Sequence, residues 1–319
     1  MHKYEDALEV LAQRDPRILV LTAENRAAIR NLPEKLGNRF IDFGICEQTM
    51  VGASAGLALR GRVPVVHALA AFLTMRAFEF IRTDVGIASL PVKLMGGVAG
   101  FLSEANGPTH QAIEDIGLMR GIPGMQVICP ADEEELAQAL PHILSSNAPC
   151  YVRHTTMAAR VKHVQPFELG RAERLRDGDD VAILCYGLLV GEAMAAAALL
   201  ARQGVQARVV NLRSLVPLDV DEVEDARRNC RLLVALEDHF KIGGLYSILA
   251  EQLLRHGETA NVLSLAVEGR WFRPAMLADV LEVENLSAPW IATRIGHAIG
   301  RQHRGTASVP QLSTGSSHA

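Results

Sequence analysis

Aromatic residues are scarce in this 319-residue chain, at 5% of positions, while hydrophobic residues as a whole reach 49%. Small and aliphatic side chains make up the difference. Such a core suits helices laid closely on parallel sheets, and close contacts between subunits. The five cysteines, Cys46, Cys129, Cys150, Cys185 and Cys230, include no C-x-x-C pair, and an odd count provides no disulfide framework. They read as reduced, mostly buried thiols of a cytoplasmic protein. There is no excess of positive charge. A net charge of −4 implies no basic face for nucleic acid. No apolar run has membrane-spanning length, and Met1-His2-Lys3-Tyr4-Glu5-Asp6 contains no apolar signal core.

What is present is an alternation of strands and helices. Ile18-Leu19-Val20-Leu21-Thr22 is a continuous apolar run, which predicts a strand buried on both faces and therefore a parallel sheet. Strands are also predicted over 39–43, 63–67, 91–95, 125–129 and 150–153, with helices at 4–14, from about 47, over 72–88, 114–120 and from 131. Residues 156–178 are polar and turn-rich. A second alternation starts at 180, with strands at 207–210 and 232–236 and helices at 189–203, 219–229 and 243–256. The predicted fold is α/β, with two doubly wound parallel-sheet domains. The predicted boundaries are 1–156, a linker at 157–178, a second domain at 179–303 and a disordered tail at 304–319.

The chain is organised around Arg39-Phe40-Ile41-Asp42-Phe43-Gly44-Ile45-Cys46-Glu47-Gln48. It places a carboxylate, Glu47, just past a strand and at the start of a helix, among small and apolar neighbours. A solvated carboxylate is favourable at a helix start, whereas a buried one needs a proton or a partner. Two further clusters follow. Phe72, Met75 and Phe78 fall three residues apart on a predicted helix, a spacing that ordinary core packing also produces. Asn106-Gly107-Pro108-Thr109-His110-Gln111 is a tight loop that can aim His110 into a pocket or bond it to backbone.

Taken in this order, the three clusters resemble the transketolase family of thiamine-diphosphate enzymes. Gly44-Ile45-Cys46-Glu47-Gln48 is similar to its G-I-x-E-[HQ] segment, and Asn106 to Gln111 to its D-G-x-T-H-Q loop. The resemblance spans about residues 15–300. It implies that Glu47 hydrogen-bonds the cofactor's aminopyrimidine ring, that Phe72, Met75 and Phe78 pack against that ring, and that His110 handles substrate protons. Arg153 matches a family arginine that can hold substrate phosphate, although a strand-end surface charge reads equally well. His67 ends a strand leading toward Phe72 and is expected to line the pocket. Glu237-Asp238-His239 and Gly243-Gly244 also resemble the family, with a structural role.

Departures from the family pattern bear on substrate. Its loop Asp is Asn106 here, and a frequent His is Val98, so recognition of a standard phosphorylated pentose is expected to differ. No G-D-G followed by the Asn that holds Mg²⁺ is found, and no metal ligands are assigned within this chain. The resemblance therefore implies the second subunit of a split transketolase, in an α2β2 assembly with a diphosphate-binding subunit that holds Mg²⁺. The expected activity is transfer of a two-carbon ketol unit between sugars or sugar phosphates. Two other readings stand beside it. One is the β subunit of a 2-oxo acid dehydrogenase or a 1-deoxyxylulose-phosphate synthase-like enzyme. The other is a non-catalytic structural partner.

Overall fold

The computed structural model describes residues 3–305. Residues 306–319, most of the expected tail, lie outside the described residues. The first half of the chain forms β1 (Ile18–Thr22), β2 (Phe40–Asp42), β3 (Val63–Leu69), β4 (Lys93–Gly97), β5 (Gln126–Ile128) and β6 (Cys150–His154). The second half adds β7 (Glu173–Arg176), β8 (Val181–Cys185), β9 (Ala207–Asn211), β10 (Ser214–Val216), β11 (Leu232–Phe240) and β12 (Val262–Val267). The first sheet runs β10-β5-β6-β4-β3-β1-β2 and the second β12-β11-β8-β9-β7. β1 and β8 are buried at every position, as strands covered by helices on both faces must be.

Both sheets are parallel except at one edge. β7 runs antiparallel to β9, and β10 antiparallel to β5. Neither edge strand was expected. β7 lies in the polar stretch read as a linker, and β10 carries the chain of the second half back into the first sheet. The region 72–88 also differs from the single helix predicted. It begins with a wide i→i+5 turn over Phe72–Arg76, passes one short α turn at Phe78–Phe80, and widens again over Ile81–Gly86. Such extra residues re-aim side chains, often at functional sites.

In the first sheet, β1 lies between β2 and β3, so the chain leaves β1 to one side and returns on the other. Ligands of open α/β sheets bind at such a switch, outside the carboxyl ends of the strands. Register puts several of those ends level. Leu69 is opposite Gly97, and Gly97 is opposite His154.

The segment between the two sheets is pinned by a buried charge network. His163 bonds Asp132 through Nε2 at 2.9 Å and Glu173 through Nδ1 at 2.7 Å. Arg213 reaches Glu135 at 2.7 Å and Glu173 at 2.8 Å. Burial opposes a charge on His163, but the bonds to Asp132 and Glu173 outweigh it and raise its pKa to about 10. A pKa raised on folding stabilises fully below the unfolded value of about 6.5, and the gain disappears as pH rises through the folded value. Protease cleavage within 160–172 is therefore expected to accelerate between pH 8 and pH 10.5. His163→Gln should be cut faster at pH 7 and lose that pH dependence. An unchanged cleavage profile would remove His163 from this role.

Candidate active site

Glu47 opens the helix Glu47–Leu59, whose buried residues Met50, Val51, Ser54, Ala55 and Ala58 form one stripe against the sheet. Ala55 thus faces this chain's own core, Gly52 and Ala53 are half-buried, and Gly56 is exposed. The Glu47 side chain is 2% exposed. Its Oε2 accepts a hydrogen bond from Arg76 Nη1 at 2.9 Å. No bond to Oε1 is made among the described residues.

Phe72 follows β3. Its ring packs on a floor of Ala70, Ala71, Ala99 and Ala112, small residues that let the loop after β4 come close. The Arg76 guanidinium lies 4.3 Å from the centre of that ring. The His110 ring meets the same ring edge-on, with centroids 5.0 Å apart. His110 Nδ1 is paired with Thr109 Oγ1 at 2.9 Å. Gln111, fully buried, donates to Phe101 O at 3.0 Å and Glu104 O at 3.3 Å and so staples the loop beneath His110. Glu47, Phe72 and His110 are thereby brought together, linked through Arg76. Sequence reasoning missed Arg76. Its approach to Phe72 comes from the wide turn over Phe72–Arg76, which the residue pattern does not announce.

The other expected residues separate. Phe78 is half-buried and packs against a core cluster drawn from both halves of the chain, and Met75 is 36% exposed. Asn106 is exposed; its side chain donates to Ser103 Oγ at 3.3 Å and its carbonyl accepts from Thr109 Oγ1 at 3.4 Å. His67 does not line the pocket. It is buried in the sheet, bonded through Nε2 to Tyr4 Oη at 2.7 Å, and burial then the neighbouring His154 push its pKa down to about 3. Arg153 is corrected as well. It is 5% exposed and holds Asp115 through Nε at 2.8 Å and Nη2 at 2.8 Å, and Asp238 through Nη1 at 2.5 Å. Burial opposes its charge, but Asp115 and then Asp238 outweigh that and raise its pKa. With its donors turned onto Asp115 and Asp238, it ties β6 to the segment 115–120 and to β11.

Two glycines and a capping carboxylate complete that tie. Gly100 has φ +61°, and a Cβ there would lie 1.6 Å from Asp238 Oδ2. A Cβ on Gly244 would lie 2.0 Å from Glu237 Oε2. That close approach lets Glu237 accept the N–H groups of Leu245 and Tyr246, at 2.6 and 3.0 Å, at the start of a helix.

A cleft of about 470 Å³ lies at the carboxyl ends of β1, β4 and β6, lined by Asn25, Gly97, Val98, His154, Thr155 and Leu277. A volume of this order suits a small molecule.

The chain matches the transketolase pyrimidine-binding domain over residues 2–162 and the transketolase C-terminal domain over residues 170–289. It is 39% identical over 254 residues to the 6-deoxy-6-sulfo-D-fructose transketolase subunit SqwH of Clostridium sp. (strain MSTE9), covering 78% of this chain and 79% of that one. It is 37% identical over 297 residues to a 1-deoxy-D-xylulose-5-phosphate synthase of Synechococcus sp. (strain JA-2-3B'a(2-13)), covering 91% of this chain but only 46% of that enzyme. Among solved structures, the chain of a split-gene transketolase in an inactive β4 tetramer superimposes with a TM-score of 0.84 at 32% identity, over 93% of this chain and 97% of that one. Both domains and their order agree: the chain belongs to the transketolase family.

Proposed function

We propose that this chain is the pyrimidine-binding subunit of a split transketolase, acting with thiamine diphosphate to transfer a two-carbon ketol unit between sugars. The observation that carries the reading is the buried Glu47 carboxylate, with one oxygen unbonded, beside the ring of Phe72 and the imidazole of His110. Thiamine diphosphate, when bound, supplies the carbon that takes up the ketol unit. Glu47 holds a proton against the aminopyrimidine nitrogen. Phe72 gives that ring an apolar wall. His110 Nε2, which has no partner among the described residues, exchanges a proton with a substrate hydroxyl. Arg76 is the counter-ion of Glu47, and its half-exposed side chain is free to move when the ring enters.

Diphosphate and Mg²⁺ are assigned to a partner subunit, in a cytoplasmic α2β2 assembly. The inactive β4 tetramer of the related split-gene chain supports dependence on such a partner. The purified chain alone is expected to show no ketol transfer and only weak cofactor binding. Activity should appear on mixing with the diphosphate-binding subunit. Full turnover by rigorously purified chain without a partner would overturn this reading.

A further inference from the structure

We propose that the irregular segment between β12 and the helix Leu277–Val283 sets the position of His110, through Phe272, Pro274 and the Leu277 N–H. These are positioning residues, which act on His110 through the loop that carries it. This deepens, and rests on, the ketol-transfer reading, in which His110 exchanges a proton with substrate.

The loop does not set its own shape. Gly100–Thr109 runs as 3-10 turns interrupted at Glu104 (φ +39°, ψ −120°) and Gly107 (φ +69°, ψ −162°). Turns of this kind have poor hydrogen-bond geometry and seldom run past a few residues. A glutamate at positive φ persists only where its surroundings impose it. Both interruptions bear on His110. Gly107 O accepts the N–H groups of His110 and Gln111, each at 3.0 Å. Glu104 O accepts from the side chain of Gln111, the neighbour of His110, at 3.3 Å. Where Glu104 and Gly107 sit, the backbone of His110 follows.

Three contacts from the second half of the chain fall on this loop, at residues 101, 104 and 107. The Phe272 ring meets the Phe101 ring edge-on, with centroids 5.2 Å apart and both rings buried. The Leu277 N–H donates to Glu104 Oε1 at 3.3 Å. Pro274 lies on Gly107: a Cβ there would stand 2.4 Å from Pro274 Cγ, so glycine alone admits this contact. Burial by itself would be met by Phe272 on Phe101. The bond at Glu104 and the proline on Gly107 add direction, at the two residues whose backbone departs from the turn. The holding segment is fixed in its own half. Trp271 packs edge-on against Phe240 at the end of β11, with centroids 5.3 Å apart, and Arg270 bridges Glu284 at 2.8 Å.

The test uses the chain assembled with its diphosphate-binding subunit and loaded with thiamine diphosphate. Glu104→Ala is expected to speed amide hydrogen exchange across 100–112 by about tenfold, while 47–59 exchanges as in wild type. Phe272→Ala should do the same; where it does not fold, Glu104→Ala decides alone. C2 proton exchange of the bound cofactor, the work assigned to Glu47, should keep its wild-type rate. Ketol transfer from fructose or fructose 6-phosphate, whichever wild type turns over faster, should fall in kcat by on the order of 10²-fold, the cost of a misplaced group. Glu104→Gln keeps an oxygen for the Leu277 N–H and should restore most of that loss. Unchanged exchange across 100–112 in Glu104→Ala would overturn the inference. So would a loosened loop with kcat intact, or a fall in C2 exchange equal to the fall in ketol transfer. A loop loosened as expected, in an assembly whose wild type transfers no ketol unit, would instead count against ketol transfer.

Discussion

Glu47→Gln is expected to reduce turnover of the assembled enzyme by about 10²–10⁴-fold, the range of a lost general acid–base contribution, and toward its upper end. Gln is nearly isosteric and can still accept the bond from Arg76, so packing at the start of helix Glu47–Leu59 survives. What it cannot do is give and take a proton. In the proposed reaction every later step depends on that exchange. Fold stability should change little. The substitution removes the charge from a 2%-exposed carboxylate, which lowers a desolvation cost, and weakens a bridge to a half-exposed arginine, which contributes about 1 kcal/mol or less. The decisive measurement is C2 proton exchange of bound thiamine diphosphate in the assembled complex, wild type against variant, with thermal melting alongside. Equal exchange rates would leave Glu47 as a helix-start carboxylate and take the catalytic role from this chain.

Most of the fold was readable because its central strands are continuous apolar runs. Ile18–Thr22 and Val181–Cys185 can only be satisfied between two layers of helices. Edge strands carry no such signal. β7 reads Glu-Arg-Leu-Arg, and its first residue belongs to a charge network whose members lie far apart in sequence. β10 has three residues and takes its place from a strand of the other half of the chain.

The site divides along the same line. Glu47, Phe72 and His110 each stand directly after a strand or loop whose punctuation is local, and so they could be found. The contacts of Arg153 and His67 were not legible, because their partners are distant. Asp238 is 85 residues from Arg153, and Tyr4 is 63 residues from His67. Arg76 was hidden for a different reason. Its value lies in the turn geometry after Phe72, where an i→i+5 turn replaces the regular helix that the residue pattern suggested.

The same distance in sequence gives Arg153 its structural weight. Arg153→Met is expected to destabilise the fold by about 3–5 kcal/mol, the usual result of breaking a buried ion pair from one side. Asp115 and Asp238, at 0% and 1% exposure, would be left as uncompensated carboxylates. That is a large share of the 5–15 kcal/mol that separates folded from unfolded chains. Asp115 also closes the segment that starts at His110, so the variant should lose activity through a misplaced loop. The loss has a sign in pH. Without their counter-ion the two buried carboxyls have folded pKa values above the unfolded 3.9 or so, so the folded variant binds more protons than the unfolded chain. Its deficit is therefore full at pH 7 and shrinks as pH falls through those raised values. Neutralising the partners as well, with Asp115→Asn and Asp238→Asn added to Arg153→Met, should return part of the melting temperature, because replacing all members of a buried ion network costs less than removing one. Were Arg153 instead a substrate-phosphate ligand, Arg153→Met would raise KM for phosphorylated sugars and leave the melting curve in place. Melting and KM measured on the same preparations separate the two, and an unshifted melting curve would remove the tie.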